Sequence, residues 1–130
     1  MLNTHQQTLP RKERIKGLKA AEQLFNSKST RSVMAFPLRA VYLVKEREEE
    51  DEATVRIMVS APKRLLKHAV WRNRVKRQIR EAYRLNKQLL SVPEGKTMLV
   101  GFIWTDAKLY DSKTVADRMK KLLVRMGGHD

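Results

Sequence analysis

Apolar residues recur at two periods along the chain, and each period predicts an element. Around Val75 they fall three and four residues apart. Val75, Ile79, Ala82, Leu89 and Leu90, with Asn86 in phase, share about a third of a helical wheel at about 100° per residue, and Tyr83 borders them. Leu66, Ala69 and Val70 are out of that phase, so the spacing predicts a helix from near Val70 to Arg72 and a separate loop over Lys63 to His68. Ile15, Leu18, Ala21, Glu22 and Phe25 follow the same rule and predict a first helix over 11–26, its firm part starting at Leu18 because Gly17 weakens the first turns. Val115, Met119, Leu122, Leu123 and Met126 predict a third, with Asp111 or Ser112 as its cap and Gly127-Gly128 as its stop.

Between these helices the period is two. Val33 to Phe36 is a short strand interrupted by Pro37, which suits a sheet edge or a bend. In Leu38 to Lys45, Leu38, Ala40, Tyr42 and Val44 alternate with Arg39, Val41 and Leu43. Ala53 to Ser60 sets Val55, Ile57 and Val59 against Thr54, Arg56 and Met58, and Thr97 to Trp104 is a continuous apolar run suited to a sheet interior. Ser27 to Ser32 and Pro93 to Lys96 are turns. The order α-β-β-β-α-β-α predicts a small α+β sandwich, a central four-stranded sheet with helices packed on it. Residues 1–10 read as a disordered tail, 11–126 as one α+β domain and 127–130 as a second tail.

Charge turns this scaffold into a candidate for function. The 130 residues carry a formal +14, with a sequence pI near 10.5. Ten Lys and Arg and one acid lie between Lys63 and Lys87, so +9 falls in 25 residues. On the wheel Asn73, Arg77, Arg80 and Arg84 line up opposite the apolar stripe, with Lys76 and Lys87 beside them. A face made only for solubility alternates acids with bases four residues apart, which lowers repulsion. This face keeps its repulsion, so a polyanion that relieves it is the expected partner. Cations at successive turns, about 5–6 Å apart, match the spacing of phosphates along a strand. A membrane surface fits less well, because large aromatics do not flank the polar face. A second basic cluster, Arg11, Lys12, Arg14, Lys16 and Lys19, opens the first helix.

The other signals narrow the class. No apolar run approaches the roughly 18 residues of a membrane span, and the first ten residues lack the apolar segment of a signal peptide. With no cysteine, there is no disulfide framework or thiolate metal site, and a cytoplasmic setting is expected. The acidic run EREEEDE, Glu46 to Glu52, reads as a solubilising loop that avoids RNA rather than a metal site. His5, His68 and His129 are scattered, and no paired carboxylates suggest a nuclease centre, so no catalytic residue and no metal ligand is assigned.

The run AVWRNRVKRQIREAYR, Ala69 to Arg84, resembles the RNR signature of the protein component of bacterial ribonuclease P. In that signature an Arg-Asn-Arg is followed closely by Lys-Arg, then Arg-Glu and an aromatic. Here these are Arg72, Asn73, Arg74, Lys76, Arg77, Arg80, Glu81 and Tyr83. The upstream Lys63-Arg64 resembles the family's basic pair, and the resemblance spans about residues 11–126. It implies a subunit that binds ribonuclease P RNA and the 5′ leader of precursor tRNA and assists endonucleolytic removal of the leader. The hydrolysis itself would come from the RNA with magnesium, and the protein would need no cofactor of its own. Lys63, Arg64, Lys67, Arg72, Asn73, Arg74, Lys76, Arg77, Arg80 and Arg84 would meet RNA.

A leader cleft between central helix and sheet would be lined by Tyr42, with Phe25 and Phe36; for each, plain core packing is the alternative. The family's first cleft aromatic falls at Ala21, where this chain has none. The resemblance also implies a left-handed β-α-β crossover, against the usual right-handed form, and a protein that is monomeric when free. The competing classes are a ribosomal-type RNA-binding protein without a role in tRNA processing, against which only the RNR signature speaks, and a nuclease acting without RNA.

Overall fold

The computed structural model describes residues 9–49 and 51–127. The expectations for residues 1–8 and 128–130, including His5 and His129, lie outside them. The elements are α1 (Gly17–Asn26), β1 (Arg31–Ala35), β2 (Leu38–Glu46), β3 (Val55–Ser60), α2 (Ala69–Asn86), β4 (Lys96–Trp104) and α3 (Ser112–Gly127). This is the α+β order read from the pattern. The sheet runs β1-β2-β4-β3. β1 and β4 pair antiparallel with β2, and β3 pairs parallel with β4, so α2 is the crossover between parallel neighbours. β4 lies inside the sheet and is buried on both faces over most of its length, which is why its sequence is apolar without alternation.

The two faces carry different helices. On one, Leu38, Ala40 and Tyr42 of β2, Ile57 of β3 and Met98, Val100, Phe102 and Trp104 of β4 meet the stripes of α2 and α3. Val75, Ile79, Ala82 and Tyr83 come from α2, and Val115, Met119, Leu122, Leu123 and Met126 from α3, which is the stripe expected for that helix. Each fully buried aliphatic side chain contributes about 1.5–3 kcal/mol. Asp111 caps α3, its Oδ1 accepting the Thr114 amide at 2.8 Å. On the opposite face Leu24 of α1 covers Val41, Leu43 and Leu99. Gly101 of β4 lets α1 come close: a Cβ there would lie 3.2–3.3 Å from Val41, Leu24 and Phe25.

The start of the chain departs from expectation. α1 begins at Gly17 rather than Arg11, and it buries Ala20 and Leu24 while Leu18 is 71% exposed. Gly17 has φ +78°, a conformation that suits glycine and breaks any helix arriving from upstream. Arg11–Glu13 forms a separate 3-10 turn, and the next residues run along the edge of β3, where the Ile15 amide donates to the Ile57 carbonyl at 2.8 Å. Ile15 therefore does not share a phase with α1. Leu9, inside the segment expected as a tail, is buried in the main core at 2% exposure.

The acidic loop is also more than solubilising. Asp51 is buried and accepts hydrogen bonds from the Glu48 amide at 2.8 Å and Lys45 Nζ at 3.1 Å, with Arg56 3.7 Å away. Burial alone would raise its pKa. The Glu48 amide, Lys45 and Arg56 outweigh that and hold the carboxyl below its usual range. A lowered folded pKa stabilises above the unfolded value and loses that contribution as pH falls through the folded one. Between about pH 6 and about pH 3 the thermal midpoint of the wild type should therefore fall further than that of Asp51→Asn. Parallel curves by circular dichroism would show that Asp51 carries no such linkage.

Candidate nucleic-acid interface

The seat of α2 decides which of its cations are free. Its stripe pins one flank to the sheet and α3, with Val75 and Ile79 fully buried, so the opposite flank must face solvent. Asn73, Arg77, Arg80 and Arg84 lie within about 60° of one another there. Asn73 and Arg77 are exposed, and Lys76, Arg80 and Arg84 half-buried. In the preceding loop Lys63, Arg64 and Lys67 are exposed, while Leu66 is fully buried and anchors the turn. Among the described residues, Lys63, Arg64, Lys67, Lys76, Arg77 and Arg80 have no carboxylate within ion-pair distance.

The remaining expected contacts divide. Arg84 is held by Glu81, with hydrogen bonds of 3.0 and 2.8 Å to its two oxygens. Lys87 is neutralised by both oxygens of Glu13 at 2.9 Å, which ties the incoming chain to the end of α2. Arg72, half-buried, and Arg74, exposed, lie off the line of Asn73, Arg77, Arg80 and Arg84, and each also serves the protein's own structure. The Arg72 Nη1 donates to the Leu66 and Lys67 carbonyls at 2.9 Å and shapes the basic loop. The Arg74 Nη2 reaches the Tyr110 carbonyl at 3.2 Å, beside Gln78 Nε2 at 2.9 Å, and so clamps α2 to the start of α3. A guanidinium has five N–H donors, so both keep donors for an outside ligand while positioning the rest.

One juxtaposition has no local signal in the sequence. The strand-like course of Arg14 beside Ile57 brings it next to Arg80. Burial, and then the charge of Arg14, lower the Arg80 pKa from its ordinary value. The Arg14 Nε is buried without a hydrogen-bond partner. Among the described residues neither arginine has an acid within ion-pair distance, and two like charges held together raise the free energy of the free protein and are relieved by an anion. The basic N-terminal turn thus extends the α2 strip, across 66 residues of sequence (Arg14 to Arg80).

The three aromatics do not line one cleft, which corrects the expected site. Tyr42, 8% exposed, faces the α2 and α3 side and joins the main core. It borders a cavity of about 310 Å³ with Ser29, Arg31, Val44, Met98 and Met126. Phe25, 49% exposed, lies over Gly101 on the other face. Phe36 is exposed at the β1–β2 turn, where its carbonyl accepts a hydrogen bond from Arg118 Nε at 2.9 Å. Strand alternation separates Tyr42 from Phe25: residues one apart in register with Val41 and Gly101 point oppositely. Beside α1, the face that carries Phe25 leaves Arg39 and Met34 exposed and Met58, Ser60 and Ile103 half-buried.

An α+β scaffold with a single-signed helix flank, a shaped basic loop and a partly uncovered sheet face defines a nucleic-acid-binding protein. The family model described as Ribonuclease P matches residues 9–127. The ribonuclease P protein component of Porphyromonas gingivalis is 35% identical, with 87% of this chain and 88% of that one covered. That of Chlorobaculum tepidum is 39% identical over 83 residues, 64% of this chain and 53% of that one. The chain belongs to the ribonuclease P protein family, and its role is that of the protein subunit of ribonuclease P. Among solved structures, the ribonuclease P protein of Thermotoga maritima superposes with a TM-score of 0.68 at 21% identity, covering 89% of this chain and 99% of that one. A Staphylococcus aureus ribonuclease P protein gives 0.64 at 20% identity, covering 87% and 93%. At these identities the two structures speak for the fold alone.

Proposed function

We propose that this subunit docks on ribonuclease P RNA through the α2 strip and the Lys63 to Lys67 loop, and holds the 5′ leader of precursor tRNA on a second surface. The observation that supports the first part is the strip of Lys76, Arg77 and Arg80, which among the described residues have no carboxylate within ion-pair distance. For the leader, the exposed Phe25 beside the uncovered sheet face offers a stacking platform, which for an unpaired base is worth about 1–3 kcal/mol. Tyr42 contributes through the core that positions β2, and Phe36 at the hairpin tip is a peripheral contact. Gathering two polyanions on one cationic body lowers their mutual repulsion. The hydrolysis is assigned to the RNA with magnesium, and the protein reduces the magnesium needed to bring leader and RNA together. A ribosomal-type RNA-binding role is not favoured, given the family.

Reconstitution tests this directly. Added to a bacterial ribonuclease P RNA at low magnesium, the folded protein should stimulate leader removal; absence of stimulation would refute the assignment. The free cations suggest roughly 6 neutralised phosphates, so log K against log salt should fall with a slope near −4 to −5. A slope near zero would rule out electrostatic docking.

A further inference from the structure

Trp71 stands in the inward phase of α2, one turn before Val75, yet it is 40% exposed. The contacts that seat α2 against α3 begin later, with Arg74 and Gln78 on the Tyr110 carbonyl. The first turn of the helix therefore overhangs the core. Among the described residues, the aromatic neighbour of Trp71 is His68, with ring centroids 4.2 Å apart and planes at 82°. His68 is itself exposed, and so is Val70.

This apolar patch is not on a loose segment. The two hydrogen bonds from Arg72 to the Leu66 and Lys67 carbonyls fasten the loop to the helix on either side of His68. In sequence its surroundings are cationic: from Ala53 to Arg80 there is no Asp or Glu, and Lys67 and Arg74 flank the ring, with Asp111 of the neighbouring turn near enough to Arg74 to feel its charge. An apolar protein surface would satisfy the indole but leave the charge of Lys67 unmatched. An unpaired nucleotide supplies a flat aromatic face and a phosphate together.

We propose that Trp71 is a stacking platform for an unpaired base of the ribonuclease P RNA, with Lys67 and Arg74 meeting the adjoining phosphates. This rests on the docking of α2 proposed above and adds a contact that charge alone cannot make. Stacking accepts any base, so it anchors a loop or bulge rather than reading a sequence.

Two measurements test it. Trp71→Ala should bind ribonuclease P RNA about 5- to 150-fold more weakly, with an unchanged salt slope, and Trp71→Phe should recover most of the loss. A blunt RNA duplex of similar length should bind both variants like wild type. In wild-type protein, the RNA should shield Trp71 emission from acrylamide; Trp104, 1% exposed, is out of reach with or without RNA. Wild-type affinity in Trp71→Ala, an equal loss on the duplex, or emission that stays quenchable in the complex would each overturn the stacking contact. The acrylamide measurement needs no variant to fold. Wild-type protein that does not bind the RNA at all would defeat the docking proposal itself, whereas binding with an unshielded Trp71 defeats only this one.

Discussion

The double variant Arg77→Ala/Arg80→Ala should bind ribonuclease P RNA at least about 100-fold more weakly than wild type. Hydrogen bonds to charged groups contribute about 1.5–3 kcal/mol each, and neither guanidinium has a carboxylate to return to among the described residues. The salt slope should become shallower by roughly 1 for each phosphate that is no longer neutralised. Arg84→Ala should weaken binding less, because its fork is already held by both oxygens of Glu81. Stability should move little, since removing Arg80 takes away a like charge beside Arg14 and offsets the missing packing of its stem. Filter binding at several salt concentrations, with thermal melts of the same samples, measures all of this. An Arg84→Ala effect equal to that of Arg77→Ala would mean that internal pairing does not decide which cations reach RNA.

Ile79→Ala should destabilise the fold by about 2–5 kcal/mol and lower the thermal midpoint by about 10 °C. Ile79 is fully buried beneath the strip, in the cluster that joins α2 to the sheet and α3. Total stability for a domain of this size is about 5–15 kcal/mol, so the loss is a large share of it. Ile79→Val, which removes one methylene, should cost only about 0.5–1.5 kcal/mol. RNA affinity, measured where the variant is still folded, should stay near wild type, because this side chain points away from the cations. The pair of outcomes separates the two flanks of one helix: charge variants change binding and core variants change stability. A wild-type midpoint for Ile79→Ala would show that the apolar stripe does not seat α2.

Much of the fold was legible because burial in this protein follows simple periods. The α3 stripe from Val115 to Met126 and the interior run of β4 each keep one environment along nearly their whole length. The RNR run was legible for a related reason: its meaning lies in local spacing on a single helix. The start of α1 is not legible in the sequence because Gly17 separates two segments that happen to share a 3/4 spacing, and period counting cannot see a φ of +78°. Asp51 looked like one acid among many in a flexible run, and only the fold brings Lys45, Arg56 and the Glu48 amide to it.

The amino-acid sequence by itself determined the element order, the single-signed flank of α2 and the family, since all three depend on which residues are near one another along the chain. The tertiary structure alone decided which cations remain free, that Arg14 joins Arg80, that Tyr42 and Phe25 look out from opposite sheet faces, and that Trp71 overhangs the core. Those outcomes depend on which surfaces the packed elements cover, and that is set by contacts between residues far apart in the chain, where no local period carries a signal.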